Sequence, residues 1–272
     1  MAAVASAGFL ASLHRYPVKS MMGEELNSVR VTPRGLFGDR AFALCDRETR
    51  KVVSAKNPRK WPNFFSYRAA FTSPPDGSAA LPPVRVTLPD GRFAVTADPD
   101  FSQTMSASLG RAVSLLEAPP QGAQLEEYWP DMAGLANRDT VTEEAMPEGT
   151  FFDLATLHVL TTGTLDKLRE VYPAGRFEPR RFRPNLIINT GDKKDFVENG
   201  WIGKTLTIGP EVWIQVTGPC PRCVMTTLAQ GDLPRDVGIL KAAAQSNEVR
   251  VGIYASVVHP GTIRIGDAVN VL

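Results

Sequence analysis

Residues 216–227 read Val216-Thr217-Gly218-Pro219-Cys220-Pro221-Arg222-Cys223-Val224-Met225-Thr226-Thr227. Two of the three cysteines in the chain lie here, with an arginine between them and prolines that restrict the backbone. The residue pattern predicts strands at 206–208 and 212–216, and it predicts that 224–227 continue as extended chain. The stretch therefore indicates a β-rich fold in which a strand delivers the chain to a cysteine turn.

The composition is that of an ordinary soluble globular protein: 43% of the 272 residues are hydrophobic and 22% are charged. This length suggests one or two hydrophobic cores. The formal net charge is +1, so bulk electrostatics give no reason to expect a nucleic-acid partner, and any anion site must be local. Three cysteines, an odd number, argue against a disulfide framework and for a reducing compartment.

The N-terminal segment is mildly apolar but lacks the basic region that opens a signal peptide. No apolar run in the sequence reaches the roughly 20 residues that a membrane-spanning helix needs. We therefore expect a cytoplasmic protein with no membrane partner.

Proline and glycine each number 22 and are spread along the chain, which favours short strands joined by turns. Residues 121–150 are polar and turn-rich, so we expect an exposed connector or lid there. Helices are predicted at 100–109, from an N-cap at Thr164 to Tyr172, and around 237–244. The remaining predicted strands are 8–18, 26–32, 41–45, 51–54, 64–71, 84–88, 157–160, 186–189, 249–255, 262–265 and 268–272.

The CxxC motif has several interpretations. A zinc ribbon needs two more ligands, and the remaining candidates show no paired spacing: Cys45, His14, His158 and His259. A thioredoxin-like redox pair should open a helix, which the extended pattern after Cys223 disfavours. Two buried cysteines acting as small hydrophobes remain possible, although an arginine and two prolines make a poor core segment. The last interpretation is a single thiolate that binds a soft, high-valent metal held mainly by another ligand.

Such a cofactor needs anchors, and four residues are candidates. Lys19 and Ser20 follow a rigid proline and offer a point charge and a hydroxyl to a phosphate. Arg40 lies just beyond a glycine, where backbone can approach an anion closely. Arg183 stands between a phenylalanine and a proline, and its planar fork can clamp a phosphate or a heterocycle. Each of these alone could equally be a surface charge.

Together these segments resemble the MOSC-domain molybdenum-cofactor proteins, including their N-terminal MOSC-associated region. The resemblance covers nearly the whole chain in the family's order and is greatest to the amidoxime-reducing component family. The motifs that carry it are Tyr16-Pro17-Val18-Lys19-Ser20, Gly38-Asp39-Arg40, Phe182-Arg183-Pro184-Asn185, Cys220-Pro221-Arg222-Cys223 and Pro260-Gly261-Thr262-Ile263-Arg264-Ile265-Gly266-Asp267.

The resemblance implies a fold that is mainly β with some α/β structure. A MOSC β-barrel includes the N-terminal strands, and a smaller α/β MOSC N-terminal domain is inserted after Arg40. We accordingly expect a MOSC N-terminal region at 1–120, of which 1–40 join the barrel, and a MOSC domain at 121–272.

The resemblance also implies functional residues. Cys223 matches the molybdenum ligand and would be catalytic. Lys19, Ser20 and Arg40 match the positions that hold the terminal phosphate of the cofactor, and Arg183 matches the arginine beside the pterin. Asp153 is a candidate for proton delivery, with a plain turn carboxylate as its alternative. The residues implied to contact the cofactor are Lys19, Ser20, Arg40, Asp153, Leu154, Ala155, Arg183, Arg222 and Tyr254.

The implied activity is the reduction of small N-hydroxylated or related N-oxygenated substrates at Mo-molybdopterin. Three cysteines cannot ligate a [2Fe–2S] cluster, which needs four ligands, and nothing resembles a pyridoxal-phosphate module. Electrons are therefore expected from a separate donor protein of the ferredoxin, flavoprotein or cytochrome b5 type. The alternative is a non-catalytic carrier of the molybdenum cofactor, or of sulfur held on Cys220 or Cys223.

Overall fold

The computed structural model describes residues 5–75, 77, 80–131 and 137–272, and strands predominate in this part of the chain. The helices are α1 (Phe101–Leu109), α2 (Thr162–Val171), α3 (Pro179–Phe182) and α4 (Gly238–Asn247). Short 3₁₀ turns lie at Phe64–Ser66, Val197–Trp201 and Val224–Thr227. The strands are β1 (Ala5–Arg15), β2 (Glu24–Leu26), β3 (Ser28–Thr32), β4 (Gly35–Leu36), β5 (Ala43–Asp46), β6 (Arg68–Phe71), β7 (Val84–Thr87), β8 (Phe93–Val95), β9 (Val113–Leu116), β10 (Gln124–Trp129), β11 (Thr140–Ala145), β12 (Leu157–Thr161), β13 (Leu186–Asn189), β14 (Thr205–Ile208), β15 (Val212–Pro221), β16 (Arg250–His259), β17 (Gly261–Arg264) and β18 (Ala268–Val271).

Seven strands close into a barrel in the order β13, β12, β16, β15, β14, β18 and β1, and β1 pairs again with β13. The β12–β13 pair is parallel and the other pairs in the ring are antiparallel. Apolar side chains from all seven strands fill the interior, which removes them from water and drives closure. The predicted mainly β fold, with a barrel that includes the N-terminal strand, is confirmed.

Strand β1 closes the barrel because its first half pairs with one neighbouring strand and its second half pairs with another. Ala5 to Phe9 pair with β18, and Phe9 to Leu13 pair with β13. Leu10 and Leu13 are fully buried in the barrel core. A bulge lies beside Gly8, which has a φ of 131°, and a Cβ there would overlap the carbonyl oxygen of Asn189. Glycine is therefore required at this crossing.

A smaller α/β region follows Arg40, as expected. It contains the β6–β7–β8 sheet, helix α1 and the β5–β9 pair, around an aromatic core that includes Trp61, Phe64 and Phe101. Three predicted strands are wrong. Residues 51–54 form no strand, since only Val52 makes isolated bridges and β5 pairs with β9 instead. The 64–71 strand begins only at Arg68, after a 3₁₀ turn, and the 26–32 strand is divided into β2 and β3.

Residues 121–150 are not the polar connector that their composition suggested. Strands β10 and β11 form a hairpin, with Gln124 opposite Ala145 and Trp129 opposite Thr140. Leu125 is buried in a cluster with residues that precede β10 and follow β11. The hairpin is therefore packed on the α/β region; its residues 132–136 lie outside the described residues. The division of the chain at residue 120 stays a prediction.

Two local predictions are corrected. Thr161, not Thr164, caps α2, and its hydroxyl accepts a hydrogen bond from the amide of Thr164 at 3.1 Å. Residues Val224–Thr227 form a 3₁₀ turn with Cys223 at its N-cap, rather than extended chain. Within the described part of the chain, no helix is long and apolar enough to cross a bilayer.

Candidate functional site

A cavity of about 460 Å³ lies where the cysteine turn, the loop after β1, the segment before β12 and the β10–β11 hairpin meet. We call it the first cavity. This volume falls in the range of about 300–1,000 Å³ that is usual for small-molecule sites. The first cavity is lined by every site residue that the sequence predicted: Lys19, Ser20, Arg40, Asp153, Leu154, Ala155, Arg183, Arg222, Cys223 and Tyr254. Their roles as ligands stay predictions.

Three of these residues have left-handed backbone conformations that non-glycine residues rarely adopt. Ser20 has a φ of 65°, Arg40 of 46° and Arg183 of 54°. Each such residue costs roughly 1–2 kcal/mol, so the surrounding structure must hold it in place. The amide of Arg40 donates to the Tyr16 carbonyl at 2.8 Å, and that of Arg183 donates to the Pro179 carbonyl at 3.1 Å. Backbone strain is thus concentrated where the cations enter the first cavity.

Tyr16 lies between two of these cations. The guanidinium carbons of Arg40 and Arg183 are 4.7 and 4.2 Å from the centre of its ring, within cation–π distance. Burial raises the pKa of Tyr16 to about 12, although both arginines oppose the shift. Burial, with the neighbouring Arg40, lowers the pKa of Arg183 to about 10. The phenol is therefore neutral and both arginines are charged at neutral pH.

A row of four alternating charges crosses the first cavity wall. Lys19 donates to the Phe151 carbonyl at 2.7 Å and is paired with Asp153. The ammonium of Lys56 lies 3.7 Å from Asp153 Oδ2 and 3.0 Å from Glu127 Oε2. Burial opposes ionisation of Asp153, but the two lysines outweigh it and hold its pKa below the ordinary value. Asp153 is therefore a carboxylate here, and it could deliver a proton only if its lysines were drawn away.

The two cysteines of the turn have different surroundings. Cys220 is buried, with 1% of its surface exposed, and its thiol is hydrogen-bonded to Tyr254. Cys223 is half-buried. Burial, reinforced by Glu127, raises the pKa of Cys223 to about 12. The thiol is therefore protonated at neutral pH, and a metal bound to it would have to displace that proton; the role of Cys223 as a ligand stays a prediction. The 3₁₀ turn after Cys223 weakens one argument against a redox pair, but the motif opens no α-helix.

Arg222 is fixed by backbone carbonyls. Its Nε donates to the Val251 carbonyl at 2.9 Å and its Nη1 donates to the Phe182 carbonyl at 3.0 Å. Its other amino group contacts Nε2 of the buried His158. Burial and the arginine charge hold the pKa of His158 well below its ordinary value. A neutral imidazole can therefore orient Arg222 without repelling it.

Sequence reasoning missed several residues that line the first cavity. Lys56 and Glu127 belong to no motif, and His158 was weighed only as a zinc ligand. The missed residues that carry charge or an aromatic ring are Lys56, Glu127, Trp129, Glu144, His158 and Arg181.

The donor set of the first cavity fits an anionic, metal-bearing cofactor. Six lysine and arginine side chains but only three acidic side chains line it, so it carries an excess of positive charge although the whole chain is almost neutral. Among the described residues, no group of three or more His, Cys, Asp or Glu side chains is placed to hold a metal ion. A metal bound through Cys223 would therefore need most of its ligands from a non-protein group.

Two family models and several curated proteins match parts of the chain. The MOSC N-terminal beta barrel domain matches residues 7–71, and the MOSC domain matches residues 148–270. Over 78 residues, 28% of this chain, the sequence is 42% identical to a molybdenum cofactor sulfurase of Drosophila grimshawi. Over the same length it is 44% identical to that of Drosophila pseudoobscura pseudoobscura. These matches span 10% and 9% of the two relatives, so the chain matches only about a tenth of their length.

Solved structures show a broader likeness at low identity. The YUAD protein from Bacillus subtilis is 12% identical with a TM-score of 0.48, and the match covers 99% of this chain and 96% of that one. YiiM from Geobacillus stearothermophilus is 19% identical with a TM-score of 0.32, and the match covers 43% of this chain and 54% of that one. Neither likeness bears on activity.

Proposed function

The chain carries a MOSC N-terminal beta barrel domain and a MOSC domain, and from this premise we propose that it is a molybdenum-cofactor-dependent oxidoreductase of the amidoxime-reducing type. Its substrates are small N-hydroxylated or related N-oxygenated compounds. Two electrons and two protons are taken up, the N–O bond breaks and water leaves. The electrons come from a separate ferredoxin, flavoprotein or cytochrome b5 type donor.

One observation carries the proposal: a half-buried thiol faces a cavity with excess positive charge that has no other protein metal site among its described residues. A cofactor that brings its own metal ligands and its own negative charge is complementary to such a cavity. MOSC-domain proteins bind the molybdenum cofactor, which agrees with this chemistry.

In this proposal Cys223 holds the metal, and Lys19, Ser20 and Arg40 hold the terminal phosphate. Arg183 lies beside the pterin. The cofactor supplies the two-electron exchange. The protein supplies orientation and charge, since its cations are buried and fixed before the cofactor arrives.

Asp153 stays the candidate for proton delivery. Its partner Lys19 would turn toward the phosphate and so loosen the ion pair that now keeps the carboxylate unprotonated. A carboxylate released in this way could take up a proton and donate it to the leaving oxygen.

A second function has its own support. The similar proteins in the two flies are named molybdenum cofactor sulfurases, which favours a carrier of the cofactor or of sulfur. In that case Cys223, the more exposed cysteine of the turn, would hold the sulfur. The charged cavity would be kept, but no electron donor would be needed.

The test compares Cys223→Ser with Cys220→Ser. We measure molybdenum per chain and the reduction of a hydroxylamine by dye-supplied electrons. The wild type should hold about one molybdenum and turn over. Cys223→Ser should lose turnover with its fold intact, because the metal loses its protein ligand. The turnover of Cys220→Ser should fall by only about tenfold. This is the low end of the loss in activity caused by changing residues that support a metal ligand.

The outcomes separate the two functions. Full turnover in Cys223→Ser contradicts the assignment of the ligand. Bound cofactor in the wild type with no turnover on any N–O or S–O substrate contradicts the oxidoreductase and supports the carrier.

A further inference from the structure

A second cavity of about 420 Å³ lies behind the cysteine turn. Its lining is mostly aromatic and apolar and includes Phe64, Phe65 and Tyr128. This volume is also sufficient for a small organic molecule. None of the motifs in the sequence accounts for it.

The first and second cavities lie on opposite sides of a shared partition. In strand β10, Glu127 and Trp129 line the first cavity, while Tyr128 between them lines the second. This division follows from the alternation of side chains along a strand. Side chains of the single strand β10 therefore line both cavities.

The turn that follows Cys223 divides in the same way. Met225 and Thr226 line the first cavity, whereas Val224 and Leu228 line the second. A molecule in the second cavity would therefore contact the segment that follows Cys223.

The charge in the second cavity has one sign. Arg59 and Arg235 line it, and none of the residues that line it is acidic. The guanidinium of Arg59 is already paired with Asp139 and lies 4.0 Å from the ring centre of Tyr128. Arg235 is exposed, and within the described part of the chain its side chain has no ion pair or hydrogen bond. An apolar cavity with an unengaged arginine at its rim is complementary to an apolar anion.

We propose that the second cavity binds a small aromatic carboxylate, with its ring against Pro58, Pro62 and Tyr128 and its carboxylate on Arg235. The ring of Tyr128 accommodates a planar ring by stacked or edge contacts. Arginine matches a carboxylate with two parallel hydrogen bonds. Binding at this site does not depend on whether the first cavity holds a molybdenum cofactor.

The experiment titrates the full chain with naphthoate and with the neutral naphthamide by calorimetry. Naphthoate should bind saturably and about tenfold more tightly than naphthamide, because only naphthoate forms the charged pair. Arg235→Gln should weaken naphthoate binding about tenfold and leave naphthamide binding unchanged. Arg264→Gln, at an exposed strand position on β17, is the matched control and should bind like the wild type.

Location is tested independently. Ala229 is exposed at the lining, so Ala229→Trp should fill the second cavity and abolish binding without disturbing the core. Bound naphthoate should also slow hydrogen exchange of the amides at 224–228. Three results would overturn the proposal. Naphthoate could fail to bind saturably, it could bind no more tightly than naphthamide, or its binding could be weakened by neither Arg235→Gln nor Ala229→Trp. Binding of that last kind would place naphthoate among the cations of the first cavity.

Discussion

The first cavity has two walls that are built in contrasting ways. The anchor wall, formed by Lys19, Ser20, Arg40 and Arg183, comes from loops at the ends of barrel elements, and three of its four residues have strained left-handed backbones. The hairpin wall, formed by Glu127, Trp129 and Glu144, comes from two regular antiparallel strands. The anchor wall is cationic, whereas the hairpin wall is acidic and aromatic. In the proposed function the anchor wall would bind the anionic cofactor, and the hairpin wall would border the space left for a substrate.

The two walls are also attached differently. Strain at the anchor wall persists only because the closed barrel and its hydrogen bonds leave the loops no alternative. The hairpin is held by burial of Leu125 and by charges on its other face, where Glu126 accepts from Lys60 and Lys51 lies 3.6 Å away. These side chains are 14–19% exposed, and replacing any one of them leaves the pairing of the two strands and the burial of Leu125 in place. Changes in the hairpin wall should therefore be tolerated better.

The largest effect is expected from Lys19→Met in the anchor wall. The change removes a buried cation that the phosphate would contact and leaves Asp153 with Lys56 alone. Loss of one partner of a buried charge pair costs about 2–5 kcal/mol, so the variant should lose its cofactor on gel filtration. Molybdenum per chain is the measurement, and circular dichroism checks the fold. Normal molybdenum in a folded variant would remove Lys19 from the anchor wall.

A smaller effect on the site is expected from Lys56→Met. Lys56 lies between the anchor wall and the hairpin wall. The variant should keep its molybdenum but lose about tenfold in turnover, since Glu127 loses its partner and the pKa of Asp153 rises. Lys51→Met is the matched control, because Lys51 pairs with Glu126 and Glu143 away from the first cavity. Its turnover should stay within about twofold of the wild type, as for an exposed pair. Equal losses in both variants would show that the hairpin acts only as a structural support.

The smallest effect on the site is expected from Glu198→Gln, a buried acid outside both walls. Hydroxyls of Thr161 and Thr164 donate to Glu198 Oε2 at 2.6 and 2.7 Å. Burial raises the pKa of Glu198, although hydrogen bonds from the two threonine hydroxyls oppose the shift. The direction is the opposite of that at Asp153. The native state therefore keeps a proton that the unfolded chain releases above about pH 4.3, so stability falls as pH rises from there.

Glu198→Gln should remove this slope, which is at most about 1.4 kcal/mol per pH unit. Turnover and molybdenum should stay at wild-type values. Urea unfolding of both proteins across pH 4 to 8 is the measurement. Parallel curves for the two proteins would contradict a buried, protonated Glu198.

The residues of the anchor wall could be predicted from the sequence because each cationic residue lies in a short motif that contains a proline or a glycine. Pro17 before Lys19 and Gly38 before Arg40 indicate turns, because proline and glycine favour turns through their own backbone preferences. The hairpin wall could not be found in this way. Glu127 lies in a segment that looks like a polar connector until its partner strand is known, and Lys56 has no distinguishing neighbour. The cap of α2 was misplaced because Thr161 and Thr164 are equally suitable capping residues by type, and only the extended backbone of Thr161 decides between them. The 3₁₀ turn after Cys223 was missed because its apolar and threonine residues also suit a strand.

By itself the sequence determined the class of fold, the cysteine turn and the residues that could hold an anionic cofactor. Periodicity, proline and glycine act over a few residues and indicated a β-rich chain. The barrel, the choice of Cys223 and most of the residues expected to contact a cofactor came from the resemblance to MOSC-domain proteins. Only the tertiary structure decided that Cys223 is the more exposed of the two cysteines that line the first cavity, that Lys56 and Glu127 join the row of charges, and that a second cavity lies beside the turn. Those outcomes follow from barrel closure between β1 and β13 and from the packing of the hairpin, which bring together groups far apart in the chain.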